Sequence, residues 1–544
     1  MSAIANPTRS TDGADFDVIV IGAGFAGLYA LHRLRQQGLT VRVYDAADGI
    51  GGTWWWNRYP GARVDFLGGP FYCYTFSEEI AREWDWTETQ PDQPAILSYL
   101  NFVADKLDLR RDIQLGTQVT SPRFDRSDHR WHVTLGDATP ASCRFLICAA
   151  GTLSAPFEPD LPGLDQFTGE YFHTGRWPQD DEVSFAGKRV GVIGTGSSAV
   201  QAIPIIAEQA QQLTVFQRTP QFTIPAANQP MPAELLTESQ QNWTKTRCEM
   251  LESPAGAPLA YGERSQRSAL SDTADRRNEV YESLWHTGGA RIVFSSYNDL
   301  MTNVDANQTI AEFIRTKIRE TVTDPATAAK LLPDHLFGTK RVIPNTNYYE
   351  TFNRPNVTLV DLRADPIHSI TATGVQTASG EHPLDMLILA TGYDAMTGSL
   401  RRLNPSFGAT NLQDKWADGV RTYLGLAVAG LPNLFMVHGP QSPSVLYNMP
   451  LGAERQTDWI VECIAALDQR GVVEIEPAAA AEDEWAARVS ALAGTTLYPQ
   501  AESWYMGSNI PGKPREFMVY LDALGYYQTL EQVAVAGYAG FVLT

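Results

Sequence analysis

Two glycine-rich turns, each set between an apolar strand and a helix, limit what this chain can become more than any other feature. The first follows Phe16-Asp17-Val18-Ile19-Val20-Ile21, a β-branched run suited to a strand buried on both faces, and places Gly22, Gly24 and Gly27 in G-x-G-x-x-G spacing. Tyr29, Ala30, Leu31 and Leu34 then recur at helical intervals up to Gly38, and Val41 to Tyr44 supplies another strand. The second begins at Arg189: Val190 to Ile193 is a strand, Gly194-Thr195-Gly196-Ser197-Ser198-Ala199 the turn, Ala202 to Ala210 helical and Leu213 to Gln217 the next strand. Gly194 lies 172 residues after Gly22, far beyond the roughly 20 to 50 residue period of a solenoid, so these are two separate units.

Each glycine has a physical task. Gly22 permits the tight turn, Gly24 lets backbone approach a pyrophosphate with Ala26 beside it, and Gly27 lets the helix pack close to the strand. Asp45, 23 residues after Gly22, ends the second strand where a carboxylate accepts hydrogen bonds from ribose hydroxyls. At the same offset from Gly194 stands Gln217, followed by Arg218-Thr219. A carboxylate there would repel a 2′-phosphate, whereas an arginine fork binds one, so NADP is expected; the bland alternative is a solvated surface arginine. Two dinucleotide sites in one chain imply electron traffic from a nicotinamide to a flavin, which assigns FAD to the first. The fold class expected is α/β, with two Rossmann-like dinucleotide-binding domains.

Composition removes other classes. With 544 residues and a net charge of −20 the chain repels polyanions, which argues against nucleic acid as a partner. No run approaches the ~18 apolar residues of a membrane span. Cys73, Cys143, Cys148, Cys248 and Cys463 contain no C-x-x-C pair and no histidine at ligand spacing, so reduced thiols, no metal and no disulfide-reductase centre are expected. Met1 to Asp15 is polar without a signal pattern, making the cytoplasm the default location and a frayed tail the expectation. Between Pro225 and Pro333 helical periodicity takes over, as at Ile310, Phe313, Ile314, Ile318 and Val322, and Asp324-Pro325 has the form of an N-cap with proline at the first helical position. The expected organisation is a first part of the FAD domain over 1–150, a first part of the NADP domain over 151–224, a helical insertion over 225–333, the remainder of the NADP domain over 334–389, and the remainder of the FAD domain with a C-terminal loop over 390–544.

After Asp45 comes Gly51-Gly52-Thr53-Trp54-Trp55-Trp56-Asn57-Arg58-Tyr59-Pro60-Gly61-Ala62-Arg63-Val64-Asp65, a string whose aromatic and glycine content suits the enclosure of a ring system. Phe167, Gly169, His173, Trp177 and Pro178 stand in the pattern F-x-G-x-x-x-H-x-x-x-W-P. In that pattern the chain resembles the type I Baeyer-Villiger monooxygenases. Phe337-Gly338-Thr339-Lys340-Arg341, Ala390-Thr391-Gly392-Tyr393-Asp394 and Ser503-Trp504-Tyr505-Met506-Gly507-Ser508-Asn509-Ile510-Pro511-Gly512-Lys513 extend the resemblance over nearly the whole chain.

The resemblance implies FAD, NADPH and O2 acting on a ketone to give an ester or lactone: NADPH reduces the flavin, O2 adds at the flavin C4a, and the peroxide attacks the carbonyl. It makes Arg341 the central residue, Asp65 its acidic partner and Lys340 a neighbour of the NADP phosphate. A unit charge ~4 Å from a peroxide anion contributes about 4 kcal/mol at an effective dielectric of ~20, enough to lower its pKa by up to about 3 units. The resemblance further assigns cofactor contacts to Gly52, Thr53, Trp54, Trp56, Arg63, Tyr72, Val119, Gln201, Thr219 and Met449, and a place over NADP to Trp504. It sets Ser444, Val445, Leu446 and Tyr447 beside the ketone pocket. His173 is read as a linker residue coupling domain orientation to catalysis.

One segment departs from the pattern. Where many relatives have x-E-S after the aspartate, Asp65 is followed by Phe66-Leu67-Gly68-Gly69-Pro70-Phe71, one residue longer and without the acid. Less polar flavin surroundings and a freer backbone at Gly68-Gly69 are expected. The alternatives are a flavin monooxygenase acting on nitrogen or sulfur, and a flavoprotein without catalytic activity. Gly196-Ser197-Ser198-Ala199 lacks the second glycine of a hydrolase elbow.

Overall fold

Val18, Ile19 and Val20 are fully buried because strands lie on both sides of Asp15–Ile21: Val41–Tyr44 and Pro140–Cys148 both pair with it in parallel. This computed structural model describes residues 15–65, 68–179, 182–258 and 264–544. The tail up to residue 14, expected to fray, lies outside them. In spatial order the first sheet runs Thr410–Asn411, Ser406–Phe407, Val119–Asp125, Arg130–Leu135, Pro140–Cys148, Asp15–Ile21, Val41–Tyr44 and Ile113–Gln114, and Leu434–Met436 also pairs with Pro140–Cys148.

The second sheet is parallel throughout, in the order Val357–Asp361, Gln212–Gln217, Arg189–Ile193, Met386–Leu389 and Glu170–His173. Each sheet therefore draws strands from two separated stretches of chain, and the chain leaves one for the other just after Pro140–Cys148 and just after Met386–Leu389. A small antiparallel sheet of Ile367–Ile370, Gly374–Thr377 and Gly380–Pro383 was not foreseen. The helical texture after Pro225 is realised in Ala233–Gln241, Trp243–Glu252, Ala274–Thr287, Val304–Thr321 and Pro325–Leu331, the last capped by Asp324, whose side chain accepts from Thr327 N.

The glycines divide by task as the turn requires. A Cβ on Gly27 would lie 1.7 Å from the Gly22 carbonyl oxygen, where the helix Phe25–Gln36 presses on its own turn. Gly22 and Gly194 adopt φ of +108° and +113°, and a Cβ on either would strike the carbonyl oxygen of Ala149 or Ala390, respectively. At Gly196, by contrast, a Cβ meets nothing within 4 Å. Gly196 faces open space.

The long helix Met449–Arg470 packs against Phe25–Gln36 and carries Glu454 into the core, 2% exposed. Its carboxylate accepts from the Thr75 amide, and its Oε2 accepts from Thr75 Oγ1 at 2.5 Å. Burial pushes the Glu454 pKa up to about 7, against those hydrogen bonds and the nearby Arg247. Cys73, Cys143, Cys148 and Cys463 are buried free thiols and Cys248 is exposed. Among the described residues no helix is long and apolar enough to cross a membrane, and no group of three or more potential metal ligands forms.

Two predictions follow from this core. Gly27→Ala is expected to cost about 1–3 kcal/mol and lower the thermal midpoint, while Gly196→Ala stays within about 0.5 kcal/mol; equal midpoints for the two variants would contradict the assignment. Because the folded pKa of Glu454 lies above the ordinary glutamate value of 4.5, the folded state holds a proton the unfolded chain has released. Its contribution to stability is thus present at low pH and lost as pH rises from about 4.5 to about 7. Glu454→Gln is expected to flatten that decline in a series of thermal melts.

Candidate active site

A single cavity of about 1320 Å³ reaches both glycine turns. Its walls include Gly22, Gly24 and Ala26 of the first and Gly194, Thr195, Gly196, Ser197 and Ser198 of the second. Gly27 and Ala199 lie outside its lining, as packing positions do. On the first side Asp45 reaches the cavity from the end of its strand, with Oδ2 accepting from Ala23 N at 2.6 Å and Oδ1 from Ala47 N at 2.8 Å. Burial raises its pKa against those two bonds. Gly52, Thr53, Trp54, Trp56, Arg63, Tyr72, Val119 and Met449 line the same space. The Trp54 indole donates to Tyr72 Oη at 3.3 Å, and Gln93 Nε2 holds the Trp54 carbonyl at 2.5 Å, so the tryptophan string is a braced wall.

On the second side Arg218, Thr219 and Gln201 line the cavity. Gln217, read as a neutral stand-in for the ribose acid, is instead turned into the core, 1% exposed, with Nε2 donating to Lys330 O at 2.7 Å. Lys340 donates to the Glu502 carbonyl; burial and then the Arg218 charge lower its pKa. The two cations are therefore electrostatic neighbours, although Lys340 is not itself part of the cavity wall. Gln201 ties the units together: its Oε1 accepts from Tyr59 Oη at 2.8 Å and its Nε2 donates to Arg63 O at 3.1 Å.

Arg341 stands where the two sides meet. Its Nε and Nη2 donate to Asp65 Oδ2 at 2.9 and 2.7 Å, and Nη1 donates to Val445 O at 3.0 Å. The side chains of Arg341 and Asp65 are 22% and 30% exposed, into the cavity that both line. Burial works against the guanidinium's charge, but Asp65 and Tyr505 outweigh it and hold the pKa above the ordinary arginine value. Val445, Leu446 and Tyr447 line the cavity beside it. Ser444 does not: the short turn Ser444–Leu446, entered at φ +39°, buries its hydroxyl without a partner.

The fingerprint residues lie behind the wall. His173 Nδ1 accepts from Gly175 N at 2.9 Å and Nε2 meets Thr391 Oγ1 at 3.1 Å, so the ring joins two inter-sheet segments, and burial lowers its pKa. Trp177 N donates to Trp56 O at 3.3 Å, while Phe167, Gly169 and Pro178 also stay off the cavity wall. Phe66 and Leu67 of the departing segment lie outside the described residues. The expected backbone freedom at Gly68 and Gly69 is corrected: a Cβ would lie 1.3 Å from Thr89 O at Gly68 and 2.5 Å from the Trp86 ring at Gly69. Both glycines serve close packing.

Sequence reasoning missed the hold on the C-terminal loop. Trp504 lines the cavity, its ring tilted against that of Tyr505 with centroids 4.0 Å apart. Behind it Asn509 Nδ2 donates to Tyr393 O at 2.8 Å, and the Lys513 ammonium, 5% exposed, bonds Asp394 Oδ1 at 2.6 Å and Ala395 O at 2.8 Å. Only the adjacency of Asn and Lys to a glycine-proline loop hinted at this. His438 Nδ1 and Asn509 Oδ1, on residues that line the cavity, have no hydrogen-bond partner. With the open space at Gly196, these are the marks of a ligand site.

A protein-family model described as pyridine nucleotide-disulphide oxidoreductase matches residues 16–250. A phenazine N-monooxygenase of Lysobacter antibioticus is 42% identical, the match covering 98% of each chain. A Baeyer-Villiger monooxygenase of Pseudooceanicola batsensis is 40% identical over 99% of this chain and 98% of its own. The solved structure of an oxidized steroid monooxygenase bound to NADP is 47% identical, with a TM-score of 0.91 over 97% of this chain and 99% of that one. Matched at such identity from end to end, the chain belongs to the Baeyer-Villiger monooxygenases.

Proposed function

We propose that the cavity between the two sheets holds FAD against the first glycine turn and NADPH against the second, with Arg341 as the charge that serves the oxygenation. The enzyme uses FAD, NADPH and O2 to insert one oxygen atom next to a ketone carbonyl, giving an ester or lactone. Ketone, O2, NADPH and a proton become ester, NADP⁺ and water. The observation carrying the reading is that one cavity reaches both turns and Arg341.

Bound FAD supplies the passage of electrons from NADPH to O2 and of one oxygen atom to substrate. The chain's own residues orient and stabilise. Asp45 and the first turn hold the adenosine end, and Trp54, Trp56 and Tyr72 wall the ring. Arg218 and Lys340 form a positive pair for a 2′-phosphate. The Arg341 guanidinium offers a permanent cation to negative charge developing on the attacked carbonyl oxygen, and Asp65 with Val445 O fixes its direction. As that oxygen's electron pair returns, one carbon–carbon bond shifts to the inserted oxygen while the bond from that oxygen to the second oxygen of O2 breaks, and the second oxygen leaves to become the water. Val445, Leu446 and Tyr447 supply an apolar boundary for the ketone. Residues 1–150 with 390–544 form the FAD unit in this reading, 151–224 with 334–389 the NADP unit, and 225–333 an insertion in the latter.

A second reading, oxygen transfer to a ring nitrogen, is favoured by one observation, the 42% identity to a phenazine N-monooxygenase. Incubation with ketones and with phenazine, followed by chromatographic separation of ester from N-oxide, decides between them.

Arg341→Ala is expected to leave NADPH able to bleach the flavin absorbance while ester formation falls about 10²–10³-fold; undiminished ester yield would remove Arg341 from the mechanism. Arg218→Asp is expected to raise KM for NADPH at least about tenfold, the loss of one charge-assisted contact, and to leave KM for NADH nearly unchanged. An unaltered preference in steady-state assays would defeat the phosphate assignment.

A further inference from the structure

Of the arginines this reading leaves unused, Arg176, Arg264 and Arg402 line the same cavity, and Arg176 and Arg402 act on one another. Arg176, inside the fingerprint between His173 and Trp177, lays its guanidinium over the Trp56 indole at 4.3 Å. Its Nη1 donates to Gly175 O at 2.8 Å and its Nη2 to Ser154 O at 3.0 Å. Arg402 donates from Nη2 to Pro156 O at 3.1 Å and lines the same wall. Both are held by backbone carbonyls of one short stretch, Ser154 to Pro156, at the exit from the first sheet.

Among the described residues neither arginine forms an ion pair. The acids that reach Arg176, Glu158 and Asp45, act only at longer range, and the charge of Arg402 opposes that of Arg176. In a chain of net charge −20, two exposed cationic side chains lie near one another without an ion pair, although Glu158 and Asp394 line a smaller cavity with both. Ordering them costs rotamer freedom and mutual repulsion, which an anion lying between them offsets. Asp45, at the first glycine turn's side of the cavity, is the assigned group whose charge reaches Arg176, and two adjacent cations match a group with two negative charges.

We propose that Arg176 and Arg402 clamp the diphosphate of FAD from the side opposite the first glycine turn. The inference rests on FAD occupying that turn, and it gives the fingerprint segment, otherwise behind the wall, one residue that touches the cofactor.

The test measures flavin release from full-length holoenzyme on dilution, read as free-flavin fluorescence at 50 and 500 mM KCl, alongside NADP⁺ affinity. Arg176→Ala and Arg402→Ala are each expected to raise the FAD dissociation constant about tenfold at low salt, as loss of one hydrogen bond to a charged group predicts. Lysine at either position should recover part of the loss, and high salt should shrink the gap to wild type. Release equal to wild type overturns the clamp, as does a loss indifferent to salt and to lysine replacement, which marks a structural brace. Weakened NADP⁺ binding with unchanged FAD release overturns it in favour of the other dinucleotide. Should wild type carry no flavin at all, the parent reading falls instead.

Discussion

A guanidinium stays charged even in a partly dry cavity, and an opposing charge offsets the cost of desolvating it. For Arg341 that charge is Asp65, which arrives from the far end of the tryptophan string while Arg341 comes from the chain's return out of the helical stretch. The pair is therefore a chemical device and a tie between distant parts of the sequence at once. Removing either member takes away the other's ion-pair partner, which couples the two positions. The third contact, to Val445 O, extends the tie to the loop ahead of Met449–Arg470. Three separated segments thus converge on one side chain, and its orientation depends on all of them.

The same logic governs the two inter-sheet passages. Thr391 meets His173, Tyr393 Oη bonds Asn57 Oδ1 at 2.5 Å, and Asp394 binds Lys513. One five-residue passage is gripped by the fingerprint, the tryptophan string and the C-terminal loop. A shift of either sheet relative to the other must break or carry along all three grips. The fingerprint histidine earns its place through this geometry, since its ring is off the cavity wall and its Nδ1 already accepts a backbone hydrogen bond.

What was legible in the chain was local. Glycine spacing, β-branched runs, the Asp324 cap and the acid at Asp45 are each decided within about thirty residues, the reach of a βαβ unit. The family pattern carried Arg341 and Asp65 across a gap that periodicity cannot bridge. The Gln217 side chain was misplaced because strand alternation, not offset from the glycine turn, decides which face it takes. Gly68 and Gly69 were misjudged for a related reason: a glycine reads as freedom in a sequence, but tertiary neighbours, here Thr89 and Trp86, make it a slot. Lys513 and Asn509 gave no periodic signal because their partners lie more than a hundred residues away.

The titratable groups that line the cavity point to the kind of catalysis it supports. Burial holds His438 down at about 4 and lifts the Tyr72 and Tyr505 hydroxyls above their ordinary value. Near neutral pH these groups are uncharged, while Arg341 remains a cation. Within this site the cation is held by its pair with Asp65. The site presents a fixed positive charge in surroundings of reduced polarity, where a charge acts more strongly than in water. Oxygen insertion beside a carbonyl places its greatest demand on such a charge, because negative charge grows on the carbonyl oxygen and then disappears within one turnover. A permanent cation meets that demand without itself changing state.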